Sequence, residues 1–405
     1  MVSSRAVQLH KTANVVLGYV VMPQVMRHGK MECSFLSRNG WPLVDIPKMK
    51  KGGVDVVFWS PTTETNFYVS AEGFMEYSPR WGHSMLAVKR WLWAVDAALE
   101  FIECNSDSVG LALNARDIAR LRKQGKIAVV LHLTSGGDII DGDLNILRIY
   151  HRLGVRAIQL PHIAVPWITS DIDPPVKGGI TDFGEQVIRE MNRLGMVIDM
   201  AHGSDEATIN VCRISKYPIV ISHSCARALI NRRRFVPDEV LKELAKNRGV
   251  IGVFFACHPD SSAGKNEIGH RVRANEQMMN FIKDEMEPLS RQYSDPFSMT
   301  EAQYAMYIDD HDELRPEKNP PCPVSSTTIG DVLDQIDYLV KVAGIDHVGI
   351  GSDYCGCGPV GPQGLEDASK LPALTQGLLD RGYSDKAVLK IMGGNFLRVF
   401  GEVTA

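Results

Sequence analysis

Short apolar segments alternate with amphipathic ones along almost the whole of this 405-residue chain. Several of the apolar segments are rich in β-branched residues and bounded by glycine or proline, which is typical of buried parallel strands. The predicted strands are Val15–Val21, Val54–Trp59, Ile127–Leu133, Ala157–Leu160, Met196–Met200, Pro218–Ser222, Val250–Phe255 and His347–Gly351. Helical spacing marks the segments between them, for example Asp182–Leu194 and Asp205–Ile214. Eight strands with intervening helices favour an α/β fold, a (β/α)8 TIM-type barrel, over an open doubly wound sheet.

One long stretch interrupts this alternation between the seventh and eighth strands. The chain is polar and charged from His258 to Thr328, and this stretch includes the proline-rich run Arg315–Pro323. An insertion at the carboxyl end of barrel strands lies beside the ligand site, so it is interpreted either as a lid or as a dimerisation arm. We therefore expect one barrel domain over residues 1–405, with an inserted lid or dimerisation segment at residues 258–328, and a homodimer.

The composition is that of an ordinary globular protein and argues against several classes of function. Hydrophobic residues make up 44% of the chain and charged residues 23%, and the net charge is −4 with both signs interspersed. This distribution contains no basic stripe for nucleic acid. The cysteines are scattered without disulfide spacing, and the first apolar segment is too short to span a bilayer. We expect a cytoplasmic protein that binds a small-molecule substrate, and neither nucleic acid nor a membrane.

Polar residues close three of the predicted strands. His202 comes shortly after Met196–Met200, His223 directly follows Pro218–Ser222, and Asp353 ends the eighth strand region. The carboxyl ends of parallel barrel strands meet at the mouth of the barrel, where ligand sites are built. Two imidazoles and a carboxylate that converge there can bind a metal ion such as zinc or transfer protons.

Two further candidates lie at the same end of the predicted barrel. His162 follows the fourth strand and could stabilise an oxyanion. Arg234 is the last of three consecutive arginines after the sixth strand, and a guanidinium can hold a substrate carboxylate by two parallel hydrogen bonds. A solvated loop at the start of a helix is the alternative interpretation of these arginines.

A collinear series of motifs extends along nearly the whole chain. It includes Asp141-Gly-Asp-Leu144, Phe183-Gly-Glu-Gln-Val187, Ser222-His-Ser224, Arg234-Phe-Val-Pro-Asp238 and Gly349-Ile-Gly-Ser-Asp353. In this order the motifs resemble the membrane (renal-type) dipeptidases, peptidase family M19 of the amidohydrolase superfamily. The resemblance implies a distorted (β/α)8 barrel and a binuclear zinc centre whose bridging water hydrolyses dipeptides.

The resemblance also implies a role for each candidate residue. His202 and His223 match the histidines that bind the second metal ion, and Asp353 matches an aspartate that is both ligand and general base. His162 matches the histidine that polarises the scissile carbonyl group, and Arg234 matches the arginine that binds the substrate carboxylate.

The rest of the family's metal site is replaced in this chain. The family carries Asp-Gly-His-x-Asp at the end of the first strand, whereas this chain has Tyr19 and Val21 at the two ligand positions. Ser135 stands in the place of the bridging glutamate. The first metal ion would keep one of its four ligands, Asp353, but His202, His223 and Asp353 together could hold one ion. We therefore expect one zinc ion at most rather than a binuclear centre, with a metal-free pocket as the alternative.

The sequence thus predicts a diverged dipeptidase-like hydrolase that acts on a small carboxylate- or amide-bearing substrate. Tyr19 is a further catalytic candidate, because a phenol at a barrel mouth can donate or relay a proton. A space-filling role for Tyr19 is the alternative. A metal-independent lyase that uses the same residues is the second hypothesis for the function, and a non-catalytic barrel that binds a ligand is the third.

Overall fold

A closed barrel of eight parallel strands forms the centre of the molecule. The computed structural model describes residues 2–22, 26–27, 30–31, 43–61, 84–134, 139–162, 165–171, 179–257, 325–355 and 361–405. The barrel strands are β1 (Val15–Met22), β2 (Val54–Pro61), β3 (Ile127–Leu133), β4 (Val155–Gln159), β5 (Val197–Asp199), β6 (Val220–Ser224), β7 (Val250–Phe254) and β8 (Val348–Tyr354). Each strand pairs with the next, and β8 pairs with β1. The predicted TIM-type barrel is confirmed.

Helices follow the strands around the outside of the barrel. Those within the described residues are α1 (Ser4–Thr12), α2 (Ile46–Lys51), α3 (Ser84–Cys104), α4 (Ala115–Lys123), α5 (Leu144–Arg152), α6 (Asp182–Leu194), α7 (Asp205–Ile214), α8 (Asp238–Lys246), α9 (Ile329–Ala343), α10 (Leu371–Asp380), α11 (Asp385–Leu389) and α12 (Asn395–Val403). The predicted helices α6 and α7 have the expected bounds. None of the described helices is both long and apolar enough to cross a membrane.

Side-chain caps fix where the helices beside the barrel mouth begin. Thr181 accepts a hydrogen bond from the Gly184 amide at the start of α6, and Gly195 ends this helix with a left-handed φ of 72°. Ser204 caps α7 in the same way by accepting from the Ala207 amide. The turn between β5 and α7 is therefore short, and it places His202 at the carboxyl end of the barrel.

The last helix closes the amino-terminal end of the barrel. Phe396 and Phe400 of α12 contact the Phe58 ring inside the barrel, with centroid distances of 5.8 and 5.7 Å. Gly18 and Gly349 leave the space that Phe396 fills, since a Cβ atom on either would lie within 2.6 Å of its ring. Each buried phenylalanine contributes about 1.5–3 kcal/mol. This end of the barrel is apolar and packed, so the polar residues lie toward the opposite end.

Two glycines allow β6, β7 and β8 to approach closely beneath the mouth. A Cβ atom at Gly252 would lie 2.1 Å from the Ser222 carbonyl oxygen and 2.6 Å from the Gly351 Cα atom. A Cβ atom at Gly351 would lie 2.3 Å from the same oxygen. A larger residue at either position would push apart the strands that carry His223 and Asp353.

The structure differs from the sequence prediction in the lengths of some strands. Strand β6 extends to Ser224 and β8 extends to Tyr354. His223 and Asp353 are therefore the next-to-last residues of their strands and do not lie in the loops that follow. A short strand, Val109–Leu111, pairs with the start of β3 and was not expected from the pattern. Residues 258–324 of the predicted insertion lie outside the described residues. The role of the insertion as a lid or dimerisation segment therefore stays a prediction.

We predict that Gly252→Ala destabilises the fold by about 3 kcal/mol or more, because backbone atoms cannot give way to the added methyl group as a flexible side chain would. Gly401→Ala is the matched control, since this glycine lies in α12 and its Cβ would meet the nearest atom at 3.7 Å. That control should be neutral or stabilising by about 0.5–1 kcal/mol. Urea unfolding curves measure both changes, and equal midpoints for the two variants would contradict the close approach of the strands.

Candidate active site

Six residues predicted from the sequence come together at the carboxyl end of the barrel. The Tyr19 and His223 rings stack with their centroids 4.2 Å apart and their planes within 13°. The His202 ring lies 5.4 Å from His223 and 4.7 Å from His162. Arg234 donates to the His223 carbonyl oxygen from Nη2 at 3.0 Å. Asp353 is close enough to Tyr19 for its charge to raise the pKa of the phenol, and close enough to Arg234 for the guanidinium to lower the pKa of the carboxyl group.

His223 is held by a buried carboxylate that sequence reasoning did not identify. Asp199 at the end of β5 accepts the Ser222 hydroxyl at 2.5 Å, and the Ser222 Oγ atom lies 2.8 Å from His223 Nδ1. The same carboxylate accepts the backbone amides of Ala201 and Ser222 at 2.9 and 2.8 Å. His132 Nε2 lies 3.0 Å from Oδ2, the oxygen that accepts from Ser222, but it is not aligned to donate to it. Asp199 therefore accepts three hydrogen bonds, two from backbone amides and one from a hydroxyl.

The direction of these hydrogen bonds follows from the charge of Asp199. Burial alone would raise the pKa of Asp199, but contacts with His132, Ser222 and Ala201 hold it below its usual value. An ionised carboxylate only accepts, so the single hydroxyl proton of Ser222 points to Asp199. The Ser222 oxygen must then accept from His223 Nδ1. Burial lowers the pKa of His223 far below its usual value, so the ring is neutral and its Nε2 atom carries the lone pair.

His202 is oriented in a similar way by another carboxylate. Its Nδ1 atom lies 3.2 Å from Asp171 Oδ2, and the backbone φ of 68° places this histidine in the left-handed region. Burial and the charge of Arg234 lower the pKa of His202, and Asp171 opposes them. The neutral ring donates from Nδ1 to the carboxylate, which leaves its Nε2 atom with the lone pair.

Arg234 lies between Asp171 and an aromatic ring. Its Nε atom is 3.6 Å from Asp171 Oδ2, and its guanidinium carbon lies 5.6 Å from the centroid of Phe254. Arg227 holds the loop that carries Arg234. Its guanidinium donates to both Asp205 carboxylate oxygens, at 2.6 and 2.7 Å, and to the backbone carbonyl oxygen of Phe235 in this loop. Within the described part of the chain, the buried Nη1 atom of Arg234 has no hydrogen-bond acceptor. This donor can bind an anionic group.

Asp353 is presented on a strained end of β8. Ser352 and Asp353 have φ angles of 55° and 59°, which non-glycine residues rarely adopt. The Ser352 hydroxyl donates to the Tyr19 carbonyl oxygen at 2.9 Å and so ties this end of β8 to β1. Burial raises the pKa of Asp353 to about 8, and the charge of Arg234 opposes the rise. Such a carboxyl group can give or take a proton near neutral pH.

Tyr19 fills the space between the two sides of the mouth. Beyond its stack on His223, the ring meets His132 edge-on at 5.2 Å. Burial raises the pKa of Tyr19 well above its usual value, and the charge of Asp353 adds to the rise. The hydroxyls of Ser60 and Thr134 oppose it only in part. Tyr19 is thus a neutral phenol that can donate a proton but does not ionise readily.

Comparison with known proteins identifies the family. The model of the membrane dipeptidases, peptidase family M19, matches residues 3–405. The chain belongs to this family. Its relatives include dipeptidase tcpJ from Claviceps purpurea, 30% identical over 364 residues, which are 89% of this chain and 69% of that protein. Dipeptidase aclJ from Aspergillus oryzae is 29% identical over 364 residues, which cover 89% of this chain and 70% of that protein.

Solved structures agree with this family. The probable dipeptidase PvdM from Pseudomonas aeruginosa superimposes with a TM-score of 0.73 at 25% identity, over 99% of this chain and 98% of that chain. A metallo peptidase from Rhodobacter sphaeroides, liganded with a phosphinate mimic of the dipeptide L-Ala-D-Ala, has a TM-score of 0.67 at 21% identity, with 96% and 99% of the two chains covered. The second likeness shows the shared fold. By family, this M19 protein is a dipeptidase-type hydrolase.

The residues of this M19 protein fit the family's zinc chemistry only in part. Two imidazoles that share a tetrahedral zinc ion have centroids about 5 Å apart, and His202 and His223 have a comparable spacing of 5.4 Å. Tyr19 and Val21 are buried, and they supply a phenol and an alkyl group at the positions where the resemblance predicts ligands of the first metal ion. In the described residues, no group of three or more His, Cys, Asp or Glu side chains is placed to hold one ion. Ser135 lies outside these residues.

Three polar residues of the site were not found by sequence reasoning. His132 lies within an apolar strand, and Asp199 precedes His202 by three residues in the strand that was singled out for His202. A polar residue within a buried strand was the available signal for both, because such a group needs a partner in the barrel. Asp171 lies in an irregular segment between β4 and α6 that carries no periodic pattern, so only the fold brings it to His202.

We predict that Asp353→Asn stabilises the metal-free protein, prepared with a chelator, at pH 8 but not at pH 4. The raised pKa means that ionisation of Asp353 opposes folding, so stability falls as the pH rises from about 4 to about 8. An amide removes this loss, which is worth up to about 1.4 kcal/mol per pKa unit. The exposed Asp107→Asn is the control. Urea midpoints of Asp353→Asn and the unmodified protein that stay parallel from pH 4 to 8 would contradict the burial of this carboxyl group.

Proposed function

We propose that this M19 protein is an enzyme that acts on a small substrate with a free carboxylate and an amide-type bond. The buried Nη1 atom of Arg234 carries this proposal, since it has no acceptor in the described residues and lies in a guanidinium packed beside His223. A substrate carboxylate would satisfy this donor by a charge-assisted hydrogen bond. Asp171 keeps the guanidinium in place from the other side.

The histidines and Asp353 would act on the bond next to that carboxylate. His162 packs against the His202 ring, where it can donate to a carbonyl oxygen that gains charge. Asp353 is buried and can transfer a proton to or from the reacting group. Tyr19, a neutral phenol stacked on His223, can donate a proton from the β1 side.

One metal ion at most belongs to this proposal. The neutral rings of His202 and His223 each bind an acceptor through Nδ1 and keep the Nε2 lone pair, as zinc-ligating histidines do. Asp353 is the third proposed ligand, and its carboxylate would have to move toward the two rings when the ion binds, because the described residues hold no preformed group of three ligands. A zinc ion bound there would supply Lewis acidity toward water or a carbonyl group. The buried Tyr19 and Val21 side chains argue against a second ion beside it.

A metal-independent lyase is the second candidate, and the position of Tyr19 favours it. The phenol ring lies flat on His223 at 4.2 Å and reaches His132 at 5.2 Å, so it occupies the side of His223 toward β1. A neutral imidazole, a phenol and a protonated carboxyl group form a complete set for abstracting and returning a proton. Hydrolysis and elimination would use the same carboxylate-binding arginine.

Metal content separates the two candidates. Elemental analysis of protein purified without added metal should give about one zinc per chain if the hydrolase assignment holds, and His202→Ala should lose it, because one imidazole does not retain zinc. The control is His347→Ala, since His347 lies at the opposite end of β8 and binds the Gly249 carbonyl oxygen. No bound metal in any sample would favour the lyase. Two metal ions per chain would overturn the proposed limit of one.

We predict that Arg234→Met lowers kcat/KM about 100-fold for the dipeptide that the enzyme cleaves best in a panel, because a charge-assisted hydrogen bond is worth about 2–3 kcal/mol. Arg234→Lys should recover only part of the loss, since it keeps the charge but not the planar fork. The same dipeptide with an amidated carboxyl terminus is the control and should lose little further. An equal loss on both substrates would show that Arg234 does not bind the carboxylate. A panel without any cleaved dipeptide, tested on protein with its zinc restored, would argue against hydrolysis.

A further inference from the structure

The guanidinium of Arg227 connects two loops at the mouth of the barrel. Its Nη1 and Nη2 atoms donate to the two carboxylate oxygens of Asp205 at 2.6 and 2.7 Å, in the bidentate geometry that suits arginine. Only 23% of the Arg227 side chain is exposed, so water screens this ion pair only in part. Asp205 is the first residue of α7, and the turn that precedes this helix carries His202. Arg227 is thereby tied to the His202 side of the site.

The same guanidinium also holds the loop of residues 226–236, which we call the Arg234 loop. Its Nε atom donates to the Phe235 carbonyl oxygen at 2.7 Å and to that of Arg232 at 3.2 Å. Its Nη2 atom donates in addition to the Arg233 carbonyl oxygen at 3.1 Å. The carbonyl groups on both sides of Arg234 are therefore bound to one rigid, planar group.

Asp171 connects the same two parts of the site from the other side. Its backbone amide donates to the His202 carbonyl oxygen at 2.7 Å, and its Oδ2 atom lies 3.2 Å from His202 Nδ1. The Oδ2 atom also lies 3.6 Å from Arg234 Nε, which is longer than a hydrogen bond. His202 and Arg234 are thus joined by Asp171 on one side and by the Arg227 ion pair on the other. Arg234 also donates to the His223 carbonyl oxygen, which orients its guanidinium while Arg227 fixes its backbone.

We propose that Arg227 is a positioning residue that sets the spacing between His202 and Arg234. This inference rests on the proposed function, in which Arg234 binds the substrate carboxylate and His202 lies beside the reacting bond. The spacing then determines how far from that bond the carboxylate of a substrate can be. A displacement of about 1 Å at a reacting centre can cost about 100-fold in rate, so the enzyme should distinguish substrates that differ by one methylene in this distance.

The position of Arg234 can be read without substrate or metal from the NMR signals of arginine Nε–H groups, in protein labelled with 15N-arginine. The signal of Arg234 is the one absent from Arg234→Lys. Arg227→Met should shift or broaden this signal, because the carbonyl groups beside Arg234 lose their donors. Arg227→Lys should do the same, since an ammonium can pair with Asp205 but cannot also reach the carbonyl groups.

Arg213→Met is the matched control for these variants. Arg213 lies in the same helix as Asp205, and its guanidinium pairs with Glu243 of α8 at 3.2 Å. This substitution also removes a guanidinium and an ion pair of α7, but one that does not hold the Arg234 loop. It should leave the Arg234 signal unchanged.

Substrate discrimination separates positioning from a purely structural role. In the unmodified enzyme, kcat/KM should differ by about 100-fold between a dipeptide that ends in glycine and its homologue that ends in β-alanine, because β-alanine moves the carboxylate by one methylene. In Arg227→Lys this ratio should fall to about 10-fold or less, because a less fixed spacing admits both substrates. Arg213→Met should keep the ratio of the unmodified enzyme.

An Arg234 signal that is unchanged in whichever Arg227 variant folds overturns the inference. A ratio that is close to one in the unmodified enzyme, or that Arg227→Lys leaves unchanged, also overturns it. A protein in which the Arg234 signal moves as expected, but which cleaves neither dipeptide with its zinc restored, would overturn the proposed hydrolysis and leave the positioning role of Arg227 standing.

Discussion

The buried carboxylate of Asp199 is the interaction on which the arrangement of the site depends. A carboxylate in a barrel interior is tolerated only when donors satisfy it, and here two backbone amides and one hydroxyl donate to Asp199. These donors come from β6 and from the turn after β5. The carboxylate therefore fixes β5 and β6 relative to each other at the level just below the mouth. Removing the Ser222 hydroxyl would leave one oxygen of a buried carboxylate without its hydrogen-bond donor, which is costly in an apolar barrel.

Apolar packing at the amino-terminal end of the barrel offsets the energetic cost of burying polar residues at the carboxyl end. Phe396 and Phe400 fill the amino-terminal end against Phe58, and glycines in β1 and β8 make room for them. The apolar burial there offsets the cost of a site in which Asp353 is kept from water and held at a positive φ. A carboxyl group whose pKa is near 8 is destabilising when it ionises, yet such a group is suited to proton transfer at neutral pH.

The barrel and the residues at its mouth could be predicted from the sequence because both follow from local patterns. Strand periodicity located β5, β6 and β8, and polar residues at their ends marked His202, His223 and Asp353. The partners of these residues could not be predicted in the same way. Asp171 reaches His202 from an irregular segment, and the contact between His132 and Asp199 depends on the register between strands that are not neighbours in sequence. Such contacts are tertiary, and a single sequence has no periodic signal for them.

In a binuclear centre the metal ions themselves help to hold the ligand rings in place. In this protein side-chain contacts orient the rings of His202 and His223 without a metal ion. Tyr19 packs its ring on one face of His223, Ser222 binds its Nδ1 atom, and Asp171 binds the Nδ1 atom of His202. The two rings are thereby oriented by the protein alone, which is the condition for using them either with a single metal ion or with none. The packing of Tyr19 on His223 thus helps to hold a ring that would otherwise depend on a bound metal ion for its orientation.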